Sequence, residues 1–301
     1  MTPSRTTGRT KKRRDLLSGL LFLSPTLIVF SVFVLFPVFF SFFLSFQLWN
    51  MFSSEHTFVG LDNYGRVLTN PEFWSVLSNT FVYTLGTIPL NMSLALLVAA
   101  LLNKRIAGKR WLRTAFFAPV IMSSVAAAVI WRWVYEPNFG LLNWFLGLFG
   151  VPAINWLNDP SAAMFALIVM GVWKTFGVNM VLFSAGLQGI PDHYYEAASI
   201  DGAGAWRKFW SITLPLLSPT TFFILVMSVI GSFQVFDTVY VLTSGGPLGS
   251  TKVLVFYLYE QAFKFFEMGY ASAVAYLLFA IIFVLTLLQV KYLKGSIHYT
   301  S

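Results

Sequence analysis

The chain has 301 residues, 57% of them hydrophobic and only 11% charged, with a formal net charge of +8 and no cysteine. Soluble domains carry about 25% charged residues, so the composition excludes an ordinary globular enzyme and predicts a chain that crosses a membrane repeatedly. The absence of cysteine excludes a disulfide framework, thiol chemistry and a Cys-ligated metal.

Residues 1–15 hold Arg5, Arg9, Lys11, Lys12, Arg13 and Arg14 with little apolar content. They predict a disordered basic cytoplasmic tail lying against anionic lipid head groups. Leu16 to Phe46 then runs 31 residues without a charge. That is too long for the apolar core of a signal peptide and enough to cross a bilayer with tilt. Pro25 and Pro37 are placed to kink it. Further apolar stretches at about 74–102, 112–134, 161–187, 212–236 and 269–291 each suffice for a ~30 Å hydrocarbon core. Pro89, with Gly86 and Asn91 beside it, is placed to bend the second span. The predicted fold is an all-α membrane protein with six transmembrane helices within residues 16–301.

Six spans leave both termini on one side, and charge selects the side. Fifteen Lys and Arg fall in the tail, the 103–113 loop, the 188–211 loop and the C-terminus, against four (Arg66, Arg132, Lys252 and Lys264) on the opposite side. The positive-inside rule therefore predicts both termini and the 188–211 loop in the cytoplasm. The same distribution beside apolar spans argues against nucleic acid as a partner. On the outside, LLNWFLGLFG (141–150) fits a helix lying in the membrane interface.

The long polar interruption in the second half is YYEAASIDGAGAWRKFWSITLPLLSP, residues 194–219. Glu196, Ala197 and Ala198 favour a short helix, with Asp192 near its positively polarised start. Gly202 and Gly204 allow a sharp turn, and a second short helix carries Trp206, Phe209 and Trp210 on one side and Arg207 and Lys208 on another. Glu196-Ala197-Ala198, three residues, Gly202, nine residues, Ile212, one residue, Leu214-Pro215 resembles the signature of permease subunits of binding-protein-dependent ABC importers, without departure in residue or spacing. Similarity to the carbohydrate branch of that family is strongest over NFGLLNW, residues 170–219 and FQVFDTVYVLTSGGP, and extends over nearly all of 16–293.

The resemblance implies a type I importer permease fold in a bacterial-type inner membrane. It implies that 188–211 is a coupling loop in which Glu196, Ala197, Ala198, Asp201, Gly202, Ile212, Leu214 and Pro215 engage an ATP-binding subunit. The implied partners are a second permease subunit forming a heterodimer, two ATP-binding subunits carrying ATP and Mg, an external solute-binding protein, membrane lipid and a sugar substrate. No cofactor is implied in this chain. The outer loops 48–73 and 136–160 are equally consistent with contact to the binding protein and with aromatic anchoring. Alternative readings are a permease for glycerol-phosphate or another non-sugar solute, and an ion-coupled secondary transporter.

A transport path needs small or polar groups inside the bundle, because lipid-facing polar groups are costly. Gly171, Lys174, Thr175 and Val178 share one helix face by their spacing, and so do Ser228, Gly231, Ser232 and Val235. Both faces match the sugar-lining faces of maltose-permease relatives in position more than in residue type. Lys174 is the one charge well inside a span. Buried, it keeps its proton only if a carboxylate, helix terminus or substrate oxygen pairs with it, and it is either a cavity-lining donor or a lysine that snorkels or pairs with another subunit. Trp173 offers a ring to a sugar's C–H surface, but a core or subunit-interface role is favoured for it. Gln234 and Asp237 either receive ligand or satisfy a loop.

GGPLGSTK (245–252) departs from phosphate-loop spacing. His56, His193 and His298 lie in separate segments, and no carboxylate pair or nucleophile–base set stands out. Asn91-Met92-Ser93 matches a glycosylation triplet but falls within a span. The expectation is a non-catalytic membrane subunit.

Overall fold

A backbone surrounded by hydrocarbon must satisfy its hydrogen bonds internally, and the long apolar runs here do so as helices. The computed structural model describes residues 7–50, 52, 56–103 and 107–293. Helix α1 (Thr7–Phe30) continues through a wide π turn at Ser31–Leu35 into α2 (Phe36–Leu44). The wide turn precedes Pro37, which lacks an N–H and crowds the preceding turn. The chain is already helical at Thr7, the first described residue, so Arg9 to Arg14 belong to α1 and not to a disordered tail. Lys and Arg are good helix formers, and the apolar helix propagates back through them. Residues 1–6, with Arg5, lie outside the described residues, as do Lys104, Arg105, Lys294 and His298.

Strands β1 (Gln47–Leu48) and β2 (Thr57–Phe58) pair antiparallel, Gln47 opposite Phe58, a small exception to the all-α expectation. Helix α3 (Asp62–Thr69) leads into α4 (Pro71–Asn103), which winds on past Pro89. Helices α5 (Lys109–Ile121) and α6 (Ser124–Val134) meet at 103°, so the expected span 112–134 is sharply broken. Met122 and Ser123, with ψ near 144° and 137°, are extended and make the break. Helix α7 (Leu141–Gly147) is pinned by Asn143, whose amide donates to the carbonyls of Pro137 and Ile154 and whose oxygen accepts from Trp156 Nε1. Its opposite face, Leu141, Trp144 and Phe145, is exposed and wholly apolar.

Asp159 caps α8 (Pro160–Gln188) by accepting from the Ser161 amide at 2.9 Å, and Pro160 suits the first position because its missing N–H would have no partner there. Helices α9 (Asp192–Ile200) and α10 (Ala205–Lys208) follow. A π turn at Phe209–Thr213 and the short α11 (Leu214–Leu216) then join α12 (Ser218–Phe233), with a 64° bend at Leu217 between Pro215 and Pro219. Helices α13 (Asp237–Leu242), α14 (Leu254–Tyr259) and α15 (Met268–Leu293) complete the chain. Among the described residues four helices are long and apolar enough to cross a membrane, and six segments are if each bent pair is one span.

The centre is the α4–α8 pair. Ala95 and Ala99 of α4 are fully buried against Met180, Phe183 and Leu187 of α8, since small residues let two helices approach closely. The stretch Ser18–Leu44 is almost wholly unburied and leans on α15 through Phe42 and Tyr276. Outside the spans, Lys252 Nζ lies 2.8 Å from Glu72 and 2.7 Å from Glu260, which Lys264 also meets at 3.0 Å. Asn79 donates to the Gly249 and Lys252 carbonyls at 2.9 and 3.1 Å, tying this loop to α4.

Burial alone would raise the Glu260 carboxyl, but the hydrogen bonds and charges of Lys252 and Lys264 outweigh it and hold its pKa below the ordinary 4.5. Burial likewise pulls Lys252 down, and Glu260 and Glu72 more than reverse that, lifting it above 10.5. A depressed carboxylate contributes stability above its unfolded pKa, and the contribution is lost as pH falls through the lower folded value. The raised lysine contributes below 10.5 and loses its share as pH climbs through its higher folded value. Thermal unfolding of detergent-purified protein should therefore show Glu260→Gln less stable at neutral pH by about 1–3 kcal/mol. The same variant should show a shallower loss of Tm below about pH 4.5 than the parent chain.

Candidate functional site

Helices α4, α8 and α12 each carry a stripe of small and polar residues, and the fold turns the three stripes towards one another. They enclose a cavity of about 620 Å3. Tyr83, Thr87 and Asn91 come from α4 at four-residue spacing, and Gly171, Lys174, Thr175, Val178 and Asn179 from α8. Ser228, Gly231, Ser232 and Val235 come from α12 and its end, with Gln234, Phe236 and Asp237 closing the end remote from residues 192–216. All the pathway residues named from the sequence except Trp173 therefore line one cavity, joined by Gln234 and Asp237. Trp173 sits off that stripe and packs edge-on to Trp131 at 5.5 Å in an apolar cluster with Ala127 and Leu167.

Sequence reasoning missed the polar chain that holds this wall together. Asn179 donates to Asn91 Oδ1 at 2.7 Å and to Ser228 Oγ at 3.3 Å, and Asn91 donates to Thr175 Oγ1 at 2.8 Å. Thr175 Oγ1 in turn donates to the Gly171 carbonyl at 2.8 Å. Three helices are thus cross-linked through side chains that would be costly to bury unpaired. The available signal was an asparagine in an otherwise apolar span, read only as part of a bend and a glycosylation triplet.

The two glycines differ in purpose. A Cβ at Gly171 would collide with the Tyr83 hydroxyl, so this glycine admits the ring from α4. A Cβ at Gly231 meets nothing within 4 Å and would point into open cavity. The ammonium of Lys174 donates to the carbonyls of Pro119 at 2.7 Å, Val120 at 3.2 Å and Met122 at 2.6 Å, at the end of α5.

The second cluster is the elbow from α9 to α12. Helix α9 ends in a left-handed turn: Gly202 has φ 74°, its N–H donates to Ser199 O at 3.1 Å, and Ala203 N–H donates to Ala198 O at 2.8 Å. This pair of bonds is the Schellman closure, which satisfies the last carbonyls and strongly favours glycine. Lys208 Nζ donates to Ser199 Oγ at 2.6 Å, and Tyr195 meets Thr213 at 3.0 Å, so α9 and α10 are tied to the base of α12. Glu196, Ala197, Asp201 and Gly202 are exposed, while Ala198, Ile212, Leu214 and Pro215 are half-buried at the join. Ile200, unmarked in the sequence reading, is 87% exposed at the end of α9, and Trp206 on α10 is 75% exposed. The elbow also exposes the carboxylates Asp192, Glu196 and Asp201. Among the described residues no group of three or more His, Asp or Glu could hold a metal.

The chain is 40% identical over 294 residues to the probable ABC transporter permease protein YesP of Bacillus subtilis, covering 96% of this chain and 94% of the relative. It is 38% identical to the trehalose/maltose transport system permease protein MalF of Thermococcus litoralis, covering 93% and 95%. Its fold resembles that in a crystal structure of a bacterial ABC transporter involved in import of the acidic polysaccharide alginate, with TM-score 0.81 at 22% identity over 95% of this chain and 98% of that one. The model of the family described as binding-protein-dependent transport system inner membrane component matches residues 7–295, and the chain belongs to that family.

Proposed function

We propose that this chain is the membrane-spanning permease subunit of an ATP-driven importer of sugars or oligosaccharides. The observation that carries the reading is the cavity of about 620 Å3 whose wall on α12 is continuous, through α11 and the π turn, with the exposed elbow. The similarity to a trehalose/maltose permease supports a sugar as the solute. A second permease subunit completes the pathway, two ATP-binding subunits carry ATP and Mg, and an external binding protein delivers the solute. Nucleotide acts only through its different affinity for two arrangements of the ATPases, so its effect reaches the cavity through the elbow. Rigid-body movement of docked elbows opens the cavity to one side of the membrane and then the other. Ser124, Ser228 and Gln234, which also line the cavity, offer hydroxyl and amide groups suited to a polyol.

Proteoliposomes holding this chain with its partner permease and ATPases should take up sugar only when ATP and the binding protein are both supplied. Uptake by the chain alone on a proton or sodium gradient would overturn the reading.

A further inference from the structure

A lone lysine in a membrane bundle invites assignment as a solute ligand, but the geometry around Lys174 directs it elsewhere. An ammonium has three N–H groups, and three backbone carbonyls, of Pro119, Val120 and Met122, stand at 2.6–3.2 Å from Nζ. These carbonyls belong to the last turn of α5 and the residue beyond it, where an α-helix leaves its acceptors without amide partners. In a lipid setting such acceptors need a donor from another element. A cation at a helix C-terminus also meets the negative end of the helix dipole. A second feature of α8 lies three residues further on the same face. A Cβ at Gly177 would collide with the Phe116 carbonyl and come within 3.2 Å of the Phe117 Cα, so α5 lies directly against the α8 backbone there. Gly177 admits α5, and Lys174 closes its end.

We infer that Lys174 is the positioning residue of the α5–α6 break, holding the 103° turn that brings Ser124 to the cavity, and is not a ligand of the transported solute. Ser124 is the first residue of α6, directly after the break, and lines the cavity. The charge of the solute is therefore not read by Lys174, whose N–H groups are all occupied by the protein.

The chain contains no cysteine, so paired labels can be placed on an otherwise native background. Leu112→Cys on α5 and Val129→Cys on α6, both at exposed positions, report the angle of the break by spin-label distance in the full chain assembled with its transport partners. Lys174→Met should lose the single distance peak, and Lys174→Arg should retain it. In uptake assays Lys174→Met should lower the maximal rate about tenfold, the scale of losing a charge-assisted set of hydrogen bonds, with KM within about twofold of the parent. Lys174→Arg should recover much of the rate. If Lys174→Met does not assemble, Lys174→Gln, which keeps two N–H donors without the charge, is measured in its place with the same expectations. An unchanged distance distribution would overturn the inference, as would a raised KM at unchanged maximal rate. The distance measurement does not depend on what is transported, so its failure is distinguishable from failure of the sugar-importer reading.

Discussion

Replacing Gly231 with tryptophan is expected to cut solute uptake at least about tenfold, equivalent to ~1.4 kcal/mol, while the protein still inserts and assembles. The reason is local and steric. Gly231 lies on α12 within the cavity wall, and a Cβ built there meets no atom within 4 Å. The new side chain therefore enters open cavity, the proposed path of the solute, and its Cβ does not force the helices apart. Gly231→Ala, adding one methyl group, should have little effect, so uptake should fall with side-chain volume through Ala, Leu and Trp. Gly171 supplies the contrast. Its Cβ would strike Tyr83, so Gly171→Ala overpacks α4 against α8, at a cost of about 1–3 kcal/mol, and should lower Tm as well as uptake. Uptake at the parental rate by Gly231→Trp would show that solute does not pass this wall.

Substitutions at Gly202 should uncouple transport in an order set by backbone energetics. At φ 74° a residue with a Cβ is strained by roughly 1–2 kcal/mol, asparagine by less, and a β-branched residue by more. No neighbouring atom lies within 4 Å, so the strain acts on the turn itself and on the two Schellman bonds from Gly202 and Ala203. Uptake should fall in the order Asn, Ala, Val, with unchanged membrane insertion and unchanged Tm of the helix bundle. Glu196→Lys, which reverses an exposed charge on α9 without touching the turn, should weaken ATPase docking and uptake together, measured by co-purification of the ATP-binding subunit. Normal uptake by Gly202→Val at normal expression would remove the elbow from the mechanism.

The elbow was legible because it is local. Ala198, Gly202 and the residues between them close a helix by contacts within six positions, and the pattern that demands a glycine there is written in the chain itself. The membrane spans were legible for a similar reason, since hydropathy accumulates along contiguous residues. The breaks in the stretches expected as the third and fifth spans were not. The 103° turn after Ile121 depends on a donor from α8, more than fifty residues downstream, and that contact leaves no periodic mark near Met122. The helical conformation of Arg9 to Arg14 was missed because a run of like charges reads as a solvated tail when the apolar helix propagating into it is not considered.

The sequence by itself determined that this chain is a helical membrane protein, carries a signature elbow and places small or polar stripes on two of its spans. The membrane helices and the stripes follow from composition, periodicity and spacing over neighbouring residues, and the signature from the resemblance of residues 196–215 to a family pattern. Only the tertiary structure decided that the stripes on α8 and α12 share one cavity with Tyr83, Thr87 and Asn91 of α4, that Trp173 belongs to the core, and that the ammonium of Lys174 closes the end of α5. Side-chain identity states what a group can bond to. Which acceptor reaches it is set by helix crossings between segments far apart in the chain, and those are properties of the packed bundle.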